Sequence, residues 1–293
     1  MDPNEGVSVS SRWGWGPTAS ERKLAPMIEK TWLVAAAGAV LVTTGLAESR
    51  FPIERSETIR RSLRVPNAST SAFEVSNVNG TITVTGVGGD TVEVVAERKI
   101  RARTDADLET ARRALQLDPT NGPGGVLVCG DASARCHCDE QTERRGRWDD
   151  LPYRVETQLE VRVPRAMTIR ACTVNGRLTV TDLRGAARLT TVNGRVEAAF
   201  QERPATSSTF RTVNGDVVVS FPSSLAADLR LKTLNGGLFT DFETTLPAAP
   251  VVAERRNGKF VYHSDRTASV RVGRGGPEFE FETVNGDVRV LKR

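Results

Sequence analysis

From about residue 56 the chain is written in alternation. Leu229, Leu231 and Thr233 interleave with Arg230 and Lys232, and Phe279, Phe281 and Thr283 interleave with Glu280 and Glu282. Val155, Thr157, Leu159, Val161 and Val163 alternate in the same way with Arg154, Glu156, Gln158, Glu160 and Arg162 before Pro164. A period of two over five to eight residues marks a half-buried strand, and proline stops one. Only one stretch changes period. Leu108, Ala111, Ala114 and Leu115 recur at helical spacing after Thr104-Asp105 and before Asp118-Pro119, which predicts one short helix near 105–116. A hairpin around Asn121–Gly125 and a charged loop over 131–150 are expected next.

The pattern repeats. NVNGTITV at 77–84, TVNGRLTV at 173–180, TVNGRVEA at 191–198, TVNGDVVV at 212–219, TLNGGLFT at 233–240 and TVNGDVRV at 283–290 share a corner, and RRNGKFVY at 255–262 is a degenerate copy. The turn residues are Asn79-Gly80, Asn175-Gly176, Asn193-Gly194, Asn214-Gly215, Asn235-Gly236 and Asn285-Gly286. Asn-Gly tolerates positive φ at both positions, so it is read as a tight corner between strands. A spacing of about 20 residues with short strands predicts an all-β fold, a single-chain β-solenoid that must stack its coils to bury their faces. The pairs at 175, 193, 214 and 235 are expected to stack in one column in sequence order. The first repeat is expected to cap the stack, joined to it by an insertion over about 99–152.

The N-terminal part differs in kind. Arg22, Lys23 and Lys30 precede an uncharged, mostly apolar run from Thr31 to Ala47, closed by small residues before Glu48. That is the grammar of a secretory signal, with a membrane anchor over 31–47 as the alternative, and Met1 and Met27 are both candidate starts. Residues 1–47 are therefore read as a lead plus signal or anchor, and 48–293 as the folded domain. An extracytoplasmic location, secreted, periplasmic or anchored, suits the four cysteines. Cys129, Cys136, Cys138 and Cys172 are an even set for one or two disulfides of unassigned pairing. A zinc reading with His137 has poor spacing.

Composition narrows the chemistry. With 40 Lys+Arg against 36 Asp+Glu the net charge is only +4, which argues against a nucleic-acid surface. His137 and His263 are the only histidines, so imidazole catalysis has almost no candidates. The acids Asp182, Asp216, Glu280 and Asp287 are the candidates for a polysaccharide-active enzyme, yet each reads as a solvated strand or corner residue. Thr173, Thr191, Thr212, Thr233 and Thr283 suggest a glycan- or ice-binding array, but their parity with Leu231 and Phe281 points them inward. Asn-Gly-Asp at 214–216 and 285–287 lacks the nonapeptide repeat of calcium-binding rolls. No cofactor and no metal is expected.

The corners, together with Asn77–Val84, Gly88-Gly89-Asp90-Thr91-Val92, the helical excursion at 105–117 and Val161-Arg162-Val163-Pro164, resemble the bacterial adhesin-like toast-rack β-solenoid family, over about residues 55–293. Members of that family are of unknown function and are secreted or membrane-tethered. The secretory start, the repeat and the lack of a catalytic set point to a non-enzymatic, adhesin-like envelope module, with an envelope protein or surface glycan as the expected partner and membrane touched only through the N-terminal segment. The resemblance supplies no catalytic residue. The cysteine-rich loop at 129–138 has no counterpart in it.

Overall fold

The computed structural model describes residues 50–114, 120–122, 125–130, 138, 151–245, 253–256, 259–262 and 267–293. The expected lead at 1–47, Cys136, His137, His263 and the Asn257-Gly258 pair lie outside the described residues. The first half contains β1 (Ile53–Arg64), β2 (Ala72–Ser76), β3 (Ile82–Val87), β4 (Thr91–Ala102), α1 (Asp105–Ala114), β5 (Thr120–Gly122), β6 (Gly125–Cys129) and β7 (Tyr153–Pro164). The repeats follow as β8 (Thr168–Cys172), β9 (Leu178–Leu183), β10 (Ala187–Thr190), β11 (Val196–Phe200), β12 (Ser208–Arg211), β13 (Val217–Phe221), β14 (Ala227–Asn235) and β15 (Leu238–Thr240). The chain closes with β16 (Thr244–Thr245), β17 (Ala253–Arg256), β18 (Lys259–Tyr262), β19 (Thr267–Val272), β20 (Glu278–Asn285) and β21 (Val288–Lys292). No helix among the described residues is long and apolar enough to cross a membrane.

The fold is all-β, built on two large sheets. One has nine strands in the order β1-β4-β7-β3-β9-β11-β13-β21-β15, and the other has ten in the order β16-β19-β14-β20-β12-β10-β8-β2-β6-β5. From β8 to β15 successive strands alternate between the sheets, and each pairs in parallel with its equivalent in the neighbouring repeat. Parallel register puts like on like. Leu159, Ile82, Leu178, Val196, Val217 and Val288 form one inward row, and Val75, Ala171, Leu189, Phe210, Phe281 and Leu231 form another on the facing sheet. All are buried in one continuous core.

Three expectations change. The order of repeats is not the order of the chain, because β20 and β21 enter between β12/β13 and β14/β15. The aromatic core accounts for this: Phe281 stacks on Phe210 with centroids 5.2 Å apart, and Phe279 on Phe221 at 5.1 Å. β14 offers Leu229 and Leu231 instead, and β19 covers its outer side. The first repeat is not a cap either. β2 and β3 have neighbours on both sides: β7, β4 and β1 extend one sheet beyond β3, and β6 and β5, within the insertion, extend the other beyond β2. The degenerate copy at 255–262 does not join the two large sheets: its described residues 255–256 and 259–262 lie in the separate antiparallel pair β17–β18.

The helix forms where its cap signals. Thr104 Oγ1 accepts from the Asp107 amide at 3.1 Å, and Asp107 Oδ2 accepts from the Thr104 amide at 3.1 Å, a reciprocal capping box. Its Leu108 and Ala111 pack on Ile100 and Ala102 in a second small core beneath the β1-β4-β7 wing.

Candidate functional site

The corners between the two sheets line up. Asn79, Asn175, Asn193, Asn214 and Asn285 are bridged in succession, and Asn235 pairs with Asn285. Each side-chain amide donates to the oxygen of its neighbour. Asn175 Nδ2 bonds Asn79 Oδ1 at 2.9 Å, Asn193 bonds Asn175 and Asn214 bonds Asn193 at 2.8 Å, and Asn285 bonds Asn214 and Asn235 bonds Asn285 at 2.7 Å. All donors point the same way along the column, as in the asparagine ladders of in-register parallel stacks. An amide carries two N–H donors and two acceptor lone pairs. The ladder uses one of each where an asparagine has a neighbour on both sides, so each exposed asparagine retains a donor and an acceptor toward solvent.

This arrangement corrects the reason for Asn-Gly. Among the described non-glycine residues only Asp182 has positive φ, so the corner asparagines are not left-handed. Asparagine is required for its ladder. The glycines are required mainly for close approach: a Cβ on Gly194 would run into the Gly176 carbonyl, and one on Gly215 into that of Gly194. Gly215 adds a φ of +152°. The threonine before each corner is buried, as its parity predicts, and its hydroxyl reaches the neighbouring glycine carbonyl. Thr212 bonds Gly194 O at 2.8 Å, Thr283 bonds Gly215 O and Thr233 bonds Gly286 O at 2.9 Å, and Thr191 bonds Gly176 O at 3.1 Å. These threonines are therefore not a surface array. In the first repeat Asn77 takes the place of threonine and bonds the Thr157 carbonyl at 2.7 Å, because its neighbour is β7 and not another corner.

Between buried threonine and exposed asparagine lies a residue that sequence reasoning passed over. Val192 (38% exposed), Val213 (39%) and Leu234 (53%) stand outward, with Val174 and Val284 half-buried in the same row. The Asn193, Asn214 and Asn285 amides bond the carbonyls of Val174, Val192 and Val213, which holds this row in register beside the ladder. The signal was present: in Thr-Val-Asn-Gly a residue after an inward threonine points out. At the donor end of the ladder lies a groove lined by Asn79, Lys99, Arg101, Arg154 and Glu156.

The candidate acids are all engaged. Asp216 accepts from the Asp287 amide at 3.0 Å and from Arg195 at 2.6 Å, and Asp287 accepts from the Gly237 amide at 2.9 Å and from Arg289 at 2.6 Å. Amide donation first, then the guanidinium in each case, holds both carboxyls below the usual aspartate range. Asp216 is thus a structural link between repeats, where the sequence suggested a free solvent-facing acid. Glu280 pairs with Arg211 at 2.8 Å, and Asp182 with Arg293 at 3.3 Å.

Cys138 and Cys172 form a disulfide with Cα atoms 5.7 Å apart, and Cys129 is disulfide-bonded as well. Cys172 sits in β8 and Cys129 ends β6, so sulfurs from two strands take part and the bonds are not confined to a loop. The Cys138 amide also donates to Glu74 at 2.6 Å, tying Cys138 to β2 of the ten-stranded sheet.

No family model matches the chain, and no curated protein matches it. Among solved structures it is similar to a "putative cell adhesion protein" from Clostridium sporogenes, at 7% identity and a TM-score of 0.49, over 82% of this chain and all of that one.

Proposed function

We propose that this chain is a non-enzymatic, adhesin-like binding or scaffolding module of the bacterial cell envelope, a β-solenoid of about 20-residue coils whose working face is the corner column. The observation that carries the reading is the row of exposed asparagine amides running in register beside an apolar row of valines. Strand spacing sets its repeat at about 4.8 Å. Such a strip suits an extended polymer that offers hydroxyls on one side and a ring face on the other, which is the chemistry of an envelope glycan. Cations at the donor end of the ladder favour acidic groups on that polymer. The disulfides and the apolar run at 31–47 support a location outside the cytoplasm.

The test is binding of the full chain to isolated envelope glycan. Val213→Asp should abolish retention while the far-UV spectrum stays unchanged. Equal retention of the variant would remove the corner column from the reading. Turnover of the glycan that disappears in Asp182→Asn would replace it with an enzyme.

A further inference from the structure

The nine-stranded sheet ends on β1, twelve residues long and paired on one side with β4. No described strand occupies its other side, so its outward N–H and C=O groups form an edge able to take up another strand. Its sequence is IERSETIRRSLR. We infer that this edge pairs antiparallel with β1 of a second copy, about a two-fold axis at Ile59, joining two nine-stranded sheets into one.

Charge, together with the length of overlap, selects the partner and the register: centring on Ser56 also avoids facing like charges but overlaps only residues 53–59. A two-fold axis perpendicular to the sheet keeps the core-facing residues of both copies on one side. Centred on Ile59, the pairing sets Glu54 opposite Arg64, Glu57 opposite Arg61, Ser56 opposite Ser62 and Ile59 opposite itself. Every facing pair of charges is then of opposite sign. Centring on Thr58 sets Arg55 against Arg61, and centring on Glu57, Arg60 or Arg61 sets that residue against itself. Like charges directly opposite are destabilising. The inward-pointing Arg55, Glu57 and Arg61 would blunt the edge toward an arbitrary apolar strand, yet they suit its own copy.

The contacts within one copy are compatible with this. Glu54 (side chain 47% exposed) already bonds Arg101 at 2.7 Å and Lys99 at 3.2 Å, and Arg64 (77% exposed) bonds Asp90 at 2.6 Å. Pairing links these into two symmetry-related rows Asp90–Arg64–Glu54–Arg101, each crossing the interface once. The opposite edge of the sheet, β15, has three residues and no such pattern.

The experiment uses the full 293-residue chain in detergent, with mass read by light scattering after gel filtration. The parent should be dimeric. Glu54→Arg and Arg64→Glu each place like charges opposite one another in both symmetric pairs and should weaken the dimer roughly tenfold or more. Mixing the two variants gives a heterodimer in which both contacts again face opposite charges, one native and one with its signs exchanged, and should yield more dimer than either alone. Ile59→Cys should cross-link to itself on oxidation, whereas Arg60→Cys should do so poorly. A monomeric parent, variants as dimeric as the parent, no rescue on mixing, or equal cross-linking at 59 and 60 would each overturn the proposal. The cysteine pair reports register even if a charge variant folds poorly.

Discussion

The repeat body and the β1-β4-β7 wing solve the same problem in opposite ways. In the body, parallel pairing places each residue beside its own equivalent, so asparagine meets asparagine, glycine meets glycine and phenylalanine meets phenylalanine. A polar side chain can then be satisfied by its own copy, as the amide ladder is. In the wing the strands are antiparallel and every polar pair is a different one. Glu54 meets Arg101 and Lys99, and buried Arg98 meets Glu57, which also faces Arg112 of α1. The difference teaches that repetition carries stability only where register is parallel. A corner residue in the body acts through two neighbours, and a wing residue through partners of its own.

The largest break in this comparison should come from the aromatic stack. Phe281→Ala removes a fully buried ring that rests on Phe210 and contacts Phe221 edge-on, and should cost about 3–5 kcal/mol in chemical denaturation. Because β20 is the strand that holds β12 and β14 together, this variant also tests whether the non-sequential order depends on that ring. Gly194→Val comes next. Its side chain would collide with the Gly176 backbone, and a loss of about 2–3 kcal/mol is expected from overpacking. Equal stability of this variant would mean that the repeats can move apart at the corner.

Asn193→Ala removes two ladder bonds and should cost about 1–2 kcal/mol. Glu93→Ala, which breaks an exposed ion pair with Arg162 in the wing, should leave the melting temperature almost unchanged. A reversed order for these two variants would contradict the contrast drawn above.

A modest effect is expected with pH. Asp216 and Asp287 titrate lower in the folded chain than in the unfolded one, so their contribution is complete above the ordinary aspartate value of about 3.9. Below that the unfolded chain binds protons first, and stability should fall with pH until the folded carboxyls protonate as well. Denaturant midpoints from about pH 7 down to about pH 3 should show that decline, and Asp216→Asn should flatten it.

Much of this was legible in the chain. The period of two marked the strands, the shift to helical spacing and the Thr104-Asp105 start marked α1, and parity alone turned the corner threonines inward, since each depends on a residue and its near neighbours. The corners were found for a reason that proved incomplete. Asn-Gly is a strong turn signal, yet these asparagines are there for a bond to a side chain 18 to 96 residues away. Nothing local distinguishes the two uses, and RRNGKFVY, in the hairpin formed by β17 and β18, could not be separated from the true corners by sequence. Spacing also suggested stacking in chain order. Which strand lies beside which is decided by how core side chains fit across the sheets, and there the last repeat displaces the one before it. Alternation and turn chemistry belong to the sequence; neighbour identity, and with it the partners of Asn193, Gly194 and Asp216, exists only once distant strands have paired.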